Sequence, residues 1–115
     1  MGTLSVNIYE APGAVVVQLK GEAGIKAADG LQSPFQRITA ARPPLVIFDL
    51  AELEFAASLF LGLLINFRRG MASQGGRVQM ACVRPNIREL FQVTRLEELF
   101  EFADSVPPAP IPAPA

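Results

Sequence analysis

Apolar positions near the start of the chain alternate with polar ones. Leu4, Val6 and Ile8 share one face of such a pattern, and the turn residues 11–14 separate them from a second apolar run at 15–19. A two-residue period predicts strands, and a short turn between two strands predicts an antiparallel hairpin.

The apolar spacing then changes to steps of four, four and three, which predicts a helix over about 27–40. The residues on this stripe are Ala27, Leu31, Phe35 and Ile38. Gly30 and Pro34 interrupt the segment, because a proline inside a helix removes a hydrogen bond and clashes with the preceding turn. We therefore expect a kinked helix, or a late one with Ser33 as N-cap.

The clearest strand signal is LVIFDL at 45–50, which is apolar on both faces and so typical of a central, doubly covered strand. The pattern next predicts a helix from Ser58 to about Gln74, ended by two glycines. Alternation at 77–83 predicts one more strand.

A third helix is predicted to open at 84–86, and a short edge strand is predicted within 99–103. The apolar residues expected to face inward from this helix are Ile87, Leu90, Phe91 and Val93. The order β-β-α-β-α-β-α-β predicts one α/β domain over 1–105, a single mixed sheet of four or five strands packed with helices.

The last ten residues, 106–115, read VPPAPIPAPA and contain five prolines. Such a segment favours an extended polyproline conformation and cannot build a core, so we predict a tail outside the domain. The pattern fits either a ligand for a proline-binding module or simply the end of the chain.

Composition narrows the possible functions. The chain has no His and one Cys, Cys82, which excludes His/Cys metal sites, Ser-His-Asp triads and CxxC redox motifs. The acidic residues are scattered and form no obvious pair for acid–base catalysis. We therefore expect no enzymatic activity, no metal and no cofactor.

Charge and hydropathy argue against nucleic acid and membranes as partners. A formal net charge of −1 gives no basic surface for nucleic acid. The N-terminus lacks the pattern of a signal peptide, and Asn66 with Arg68-Arg69 interrupts the longest apolar run. We expect a cytoplasmic protein that does not insert into a membrane.

The segment 45–100 resembles a STAS domain, the module of bacterial anti-sigma factor antagonists. That family has an apolar strand ending in Asp-Leu, a helix start of the form F-x-D-S-S-G-L-G, a Gly-Gly turn, a strand, and a helix ending near L-F-x-x-x-x-L. The residues that fall on this pattern are Asp49-Leu50, Phe55, Ser58, Leu61, Gly62, Gly75, Gly76, Leu90-Phe91 and Leu96. With the hairpin and Gly21-Glu22, the resemblance covers residues 4 to about 103.

The resemblance implies a function. The family's antagonists bind a serine kinase that is also an anti-sigma factor, and phosphorylation of a serine at this helix start switches the antagonist off; here that serine is Ser58. Its neighbours Ala57, Leu59 and Phe60 replace the family's Asp, second Ser and Gly. The alternatives are that Ser58 is only a helix N-cap, and that the chain is a non-switching scaffold subunit of a signalling or lipid-transport assembly.

The helix that begins at Ser58 is apolar over an arc of about 240°. The stripe expected on the sheet is Leu61, Leu64, Ile65 and Arg68. A second stripe, Phe60, Leu63 and Phe67 with Leu59 beside it, lies about 120° from the first. Either the first or third helix covers this second stripe, or the stripe binds a permanent partner or a second copy in a homodimer.

Overall fold

The computed structural model describes residues 3–107, and the statements below concern that part of the chain. The strands are β1 (Leu4–Ala11), β2 (Ala14–Ala23), β3 (Leu45–Ala56), β4 (Arg77–Ala81) and β5 (Glu101–Ala103). The helices are α1 (Ile25–Asp29), α2 (Gln32–Ala41), α3 (Ser58–Ser73) and α4 (Pro85–Val93), followed by a 3-10 turn at Glu97–Leu99.

The strands form one five-stranded sheet in the order β1-β2-β3-β4-β5. β1 runs antiparallel to β2, and the pairs β2-β3, β3-β4 and β4-β5 are parallel. The turn between β1 and β2 is Pro12-Gly13, with Gly13 at a positive φ of 73° that suits glycine. The predicted hairpin and the predicted mixed sheet are both confirmed.

The single helix predicted over 27–40 is in fact two short helices, α1 and α2. The chain breaks at Gly30, and Leu31 rather than Ser33 is the N-cap residue of α2. Pro34 lies in the first turn of α2, where its missing N–H costs no helical hydrogen bond. The predicted late start is therefore right for α2, but the cap residue was wrong.

All four helices pack on one face of the sheet. The strand register places Val17, Phe48 and Met80 side by side on that face, and they share one buried cluster with apolar residues of α1, α2, α3 and α4. A smaller cluster on the opposite face contains Ala14, Val16, Ile47 and Ala81. β3 is buried from both sides, as its sequence predicted.

The prediction that Phe60, Leu63 and Phe67 form an exposed stripe is wrong. Phe60 is 0% exposed and Phe67 is 5% exposed, while Leu63 is partly buried against the same core. The Phe67 ring lies 5.0 Å from the Phe35 ring of α2 and 5.5 Å from the Phe48 ring of β3, measured between centroids. Helix α2 lies beside α3, so the intramolecular explanation holds for Phe60 and Phe67.

The reason lies in the arc that α3 buries. Its buried residues are Phe60, Leu61, Leu64, Phe67 and Met71, which span about 120° on a helical wheel. A helix that packs both on a sheet and against a neighbouring helix uses a wider arc than one that packs on a sheet alone. The sequence expectation placed the sheet-facing stripe too far toward Ile65 and Arg68, both of which are only partly buried.

Three smaller expectations also need correction. β3 continues to Ala56 rather than ending at residue 50, because β2 is long enough to pair with it there. β4 ends at Ala81, since Cys82 takes a left-handed φ of 58° and is only partly buried. Val93 is exposed and does not face the core.

Two residues that were predicted to begin the tail lie against the sheet. Val106 packs on the smaller cluster, and the Tyr9 hydroxyl donates a hydrogen bond to the Pro107 carbonyl at 2.8 Å. The rest of the predicted tail, 108–115, lies outside the described residues. Among the described helices, none is long and apolar enough to cross a membrane.

Candidate partner-binding site

The site predicted around Ser58 lies at the carboxyl end of the parallel strands. β2 ends at Ala23, β3 ends at Ala56, and α3 begins two residues later. The backbone N–H of Ala57 donates to the Ala23 carbonyl at 2.8 Å, which fixes the start of α3 to the end of β2. Open α/β sheets place their binding crevices at this end of the strands.

Ser58 is exposed, and it is the first residue of α3 rather than its N-cap. Ala57 occupies the N-cap position with extended dihedrals of φ −84° and ψ 160°. Within residues 3–107, the structure gives the Ser58 hydroxyl no hydrogen-bond partner. The alternative that Ser58 serves as a helix cap is therefore wrong, and its hydroxyl faces outward.

The backbone around Ser58 presents unpaired donors. The N–H groups of Phe60 and Leu61 both donate to the Ala57 carbonyl, at 3.0 and 3.3 Å. The N–H groups of Ser58 and Leu59 precede the first helical hydrogen bond and so have no intrahelical acceptor. They lie at the positive end of the dipole of a 16-residue helix, where a phosphate on Ser58 would be tolerated.

Large apolar side chains remain exposed on the segments that meet at Ser58. Ile25 is 70% exposed, Phe55 49% and Leu59 42%. Ile25 opens α1 two residues after Ala23, Phe55 lies three residues before Ser58, and Leu59 follows it. We call these three residues the Ser58 rim. Exposed apolar side chains grouped on one end of a domain are typical of a protein-binding surface.

Sequence reasoning found only part of this rim. Leu59 was predicted as a partner-binding residue and is indeed exposed. Phe55 was noted only as a match to the family pattern, and Ile25 lies between the second predicted strand and the first predicted helix, where no site was predicted. The available signal for Ile25 was a large apolar residue outside the helical stripe.

Side chains at the start of α4 form hydrogen bonds with the backbone of β3 next to the site. The Arg84 side chain donates from Nε to the Ala51 carbonyl at 2.8 Å, and the Asn86 amide donates to the Glu54 carbonyl at 3.0 Å. These bonds fasten the last part of β3, which carries Phe55, to α4. The side-chain donors at the start of α4 are thus used to hold the strand in place.

The surface beside the rim is open. A Cβ atom added at Gly24 or at Gly62 would meet no atom within 4 Å. Gly24 precedes Ile25, and Gly62 lies one helical turn after Ser58, so neither backbone is covered by the domain itself. A partner can approach the backbone closely at both positions.

The carboxylates show no catalytic arrangement in the described part of the chain. Asp49 is buried, accepting hydrogen bonds from the Gln18 amide and the Ala51 N–H, each at 3.1 Å. Glu54 is exposed. Residues 3–107 contain no cluster of three potential metal ligands. A groove of 890 Å³ lies between α2 and α3, and neither Asp49 nor Glu54 lines it.

Comparison with known proteins identifies the family. The family model of the STAS domain matches residues 5–109. The chain belongs to the STAS domain family. A curated relative, a STAS-domain-containing protein of Pseudomonas aeruginosa, is 21% identical over 89 residues, which cover 77% of this chain and 87% of the relative.

Solved structures share the STAS fold. An anti-sigma factor antagonist from Mycobacterium paratuberculosis superposes with a TM-score of 0.82 at 22% identity, over 90% of this chain and 88% of that one. A STAS domain protein from Planctomyces limnophilus gives 0.79 at 19% identity, over 88% and 91%. The phosphorylated form of SpoIIAA, a Bacillus cell fate determinant, gives 0.69 at 20% identity, over 90% and 93%. These likenesses establish the fold.

Proposed function

We propose that this STAS domain is a protein-binding regulatory module of the anti-sigma factor antagonist type. Its partner is a protein serine kinase that is also an anti-sigma factor, and its contact surface is the Ser58 rim. The observation that carries the proposal is the exposed Ser58 side chain at the start of α3. Its hydroxyl makes no cap hydrogen bond, and it lies between exposed apolar side chains.

Burial of the rim supplies the binding energy in this proposal. A large apolar side chain that moves from water to a dry interface contributes about 1.5–3 kcal/mol when it is fully buried. Phe55 and Leu59 are about half exposed and Ile25 more so, so each retains apolar area for a partner to cover. The hydrogen bonds from α4 to β3 hold Phe55 in position before binding, which lowers the entropic cost of association.

Phosphorylation of Ser58 is the proposed off switch. A phosphate adds about −1.5 to −2 charges at neutral pH. The N–H groups of Ser58 and Leu59 can donate hydrogen bonds to it without disturbing the helix. A partner that buries the rim would also have to strip water from the phosphate, which is costly in an apolar interface. The domain stays folded while the partner is released.

The second candidate is a scaffold subunit that binds the same way but does not switch. It is favoured by the replacement of the family's Asp, Ser and Gly around the serine with Ala57, Leu59 and Phe60. The side chain of Phe60 is fully buried, so that position no longer offers surface to a kinase. In this case the rim makes a permanent contact and Ser58 carries no phosphate.

A binding assay with the candidate kinase separates the two functions. Wild-type protein, Ser58→Ala, Ser58→Asp and Leu59→Ser are titrated against it, and Ser58 is checked for phosphate after incubation with ATP. Ser33→Asp is the matched control, because Ser33 is an exposed residue in the first turn of α2. It adds the same charge to a helix start away from the rim.

The switch predicts that Ser58→Asp binds at least about tenfold more weakly, a loss of about 1.4 kcal/mol, while Ser58→Ala and Ser33→Asp bind as wild type. The scaffold predicts that only Leu59→Ser loses binding and that no phosphate is found on Ser58. Unchanged binding in both Ser58→Asp and Leu59→Ser would contradict both functions.

A further inference from the structure

The chain returns across the sheet after its last strand. β5 and β1 are opposite edges of the five-stranded sheet, yet Tyr9 of β1 donates its hydroxyl hydrogen bond to Pro107, four residues after the end of β5. Four strand spacings of about 4.8 Å separate the two edges. Four residues reach at most about 14 Å, so the segment must be extended and the inward-pointing phenol of Tyr9 closes the remaining distance.

This C-terminal segment, residues 104–107, lies on the face opposite the helices. Its first carbonyl, that of Asp104, accepts a hydrogen bond from the Cys82 thiol at 3.3 Å. Val106 packs on the cluster whose buried members are Ala14, Val16, Ile47 and Ala81. No helix residue of the described chain belongs to that cluster. The segment therefore covers apolar surface that the helices leave open.

The contacts resemble the recognition of proline-containing peptides in general. Such peptides bind as extended chains on aromatic side chains, and a side-chain donor commonly reads a backbone carbonyl beside a proline. The Tyr9 hydroxyl supplies the donor, and Tyr9 packs against the same cluster as Val106. Val106 precedes Pro107, and Pro107 precedes Pro108, so both residues are restricted to extended conformations before they bind. Little conformational entropy is lost on docking.

We propose that the open face around Tyr9 is a binding site for an extended, proline-containing peptide, and that this chain fills the site with its own residues 104–107. The site lies on the face opposite the helices, whereas the Ser58 rim lies at the carboxyl end of the strands. The proposal is therefore independent of the proposed function. It gives residues 104–107 a ligand role within the same molecule.

Tyr9 provides a direct readout. Tyr9 is the one tyrosine of the chain, which has no tryptophan. The intrinsic tyrosine fluorescence of the protein therefore comes from Tyr9 alone. Burial raises the pKa of the Tyr9 phenol above its ordinary value, and the negative charge of Asp49 adds to the effect. Loss of the segment would expose the ring and move its pKa back toward the ordinary value.

The test uses the full-length chain with Val106→Asp, and with Val106→Ala as a milder change. We expect acrylamide to quench Tyr9 fluorescence about twofold more strongly in Val106→Asp and by an intermediate amount in Val106→Ala. Val93→Asp is the matched control, since Val93 is an exposed valine at the end of α4. Far-ultraviolet circular dichroism confirms that each variant is folded.

A synthetic peptide of residues 104–115 then tests whether the site recognises the segment without the covalent link. Added to full-length Val106→Asp, it should restore wild-type protection of Tyr9 in a saturable manner. The same peptide carrying Val106→Asp should not. Unchanged quenching in folded Val106→Asp would overturn the proposal. So would a wild-type peptide without effect, or a Val106→Asp protein that is dimeric with Tyr9 still protected.

Discussion

Ser58 and Ala57 divide two roles that one residue often combines. Ala57 has the extended backbone of an N-cap but no side chain that can accept a hydrogen bond. Ser58 has such a side chain but stands one position too late, where the hydroxyl points to solvent. The start of α3 thus has no side-chain cap, although a serine stands next to the N-cap position.

This arrangement predicts different effects on stability for two neighbouring substitutions. Ser58→Ala should change the free energy of unfolding by less than about 0.5 kcal/mol, because no cap hydrogen bond is lost. Ala57→Asp should raise it by about 1 kcal/mol. A carboxylate at the N-cap accepts a hydrogen bond from a helix N–H group and interacts favourably with the positive end of the helix dipole. Urea denaturation followed by circular dichroism measures both. A loss of about 1 kcal/mol in Ser58→Ala would mean that its hydroxyl does cap the helix.

The C-terminal end of α3 is closed by backbone hydrogen bonds. Gly76 donates to the Met71 carbonyl at 2.8 Å and Gly75 to the Ala72 carbonyl at 3.0 Å, with Gly75 at a φ of 80°. This is a Schellman motif with glycine at the left-handed position. The Gly-Gly pair in the sequence correctly marked this helix end.

The end of α4 uses the same motif with a different residue. Leu96 donates to the Phe91 carbonyl at 2.8 Å and Arg95 to the Gln92 carbonyl at 3.1 Å. Arg95 takes the left-handed position with a φ of 60°. A side chain with a Cβ atom is strained there, and the helix end carried no glycine by which the sequence could reveal it.

The two helix ends predict opposite changes in stability when their left-handed residues are exchanged for glycine or alanine. Arg95→Gly should raise the free energy of unfolding by about 0.5–1 kcal/mol, since it removes the left-handed strain. Gly75→Ala should lower it by about 1 kcal/mol. A Cβ atom at Gly75 would meet nothing within 4 Å, so the effect isolates the backbone. Thermal unfolding of both variants provides the measurement, and a fall in midpoint for Arg95→Gly would contradict the strain.

At the scale of the whole molecule, one ion pair joins the short edge strand to the sheet. Arg77 of β4 donates from Nε to the Glu101 carboxylate of β5 at 2.9 Å, and the Gln79 amide donates to the same carboxylate at 3.3 Å. The hydrogen bond from Arg77 holds the pKa of Glu101 below its ordinary value. β5 has three residues and leads into the C-terminal segment, residues 104–107. This contact therefore helps to position that segment on the sheet face opposite the helices.

The lowered pKa predicts a pH-dependent contribution to stability. A carboxylate whose pKa is lower in the folded state stabilises the fold at pH values above its unfolded pKa, and the contribution disappears as pH falls through its folded pKa. Wild type should therefore be more stable than Glu101→Gln at neutral pH, and the difference should vanish at strongly acidic pH. Urea denaturation across this range measures it, with Glu98→Gln in the 3-10 turn as control. A difference that persists in acid would contradict the ion pair as its cause.

The sequence by itself determined the order of the strands, the hairpin, the doubly buried central strand, both ends of α3 and the place of Ser58 at its start. These features follow from the spacing of apolar residues and from turn residues, which act within a few positions along the chain. The family resemblance was equally readable, because its motif residues keep their order and spacing.

Only the tertiary structure decided which apolar surface is covered. It buried Phe60 and Phe67 beside α2, left Ile25 and Phe55 exposed around Ser58, and laid residues 104–107 over the open face. A helical pattern shows that a side chain is apolar, but not which distant element will lie against it. That choice depends on contacts between residues far apart in sequence, such as Tyr9 and Pro107, and local periodicity contains no record of them.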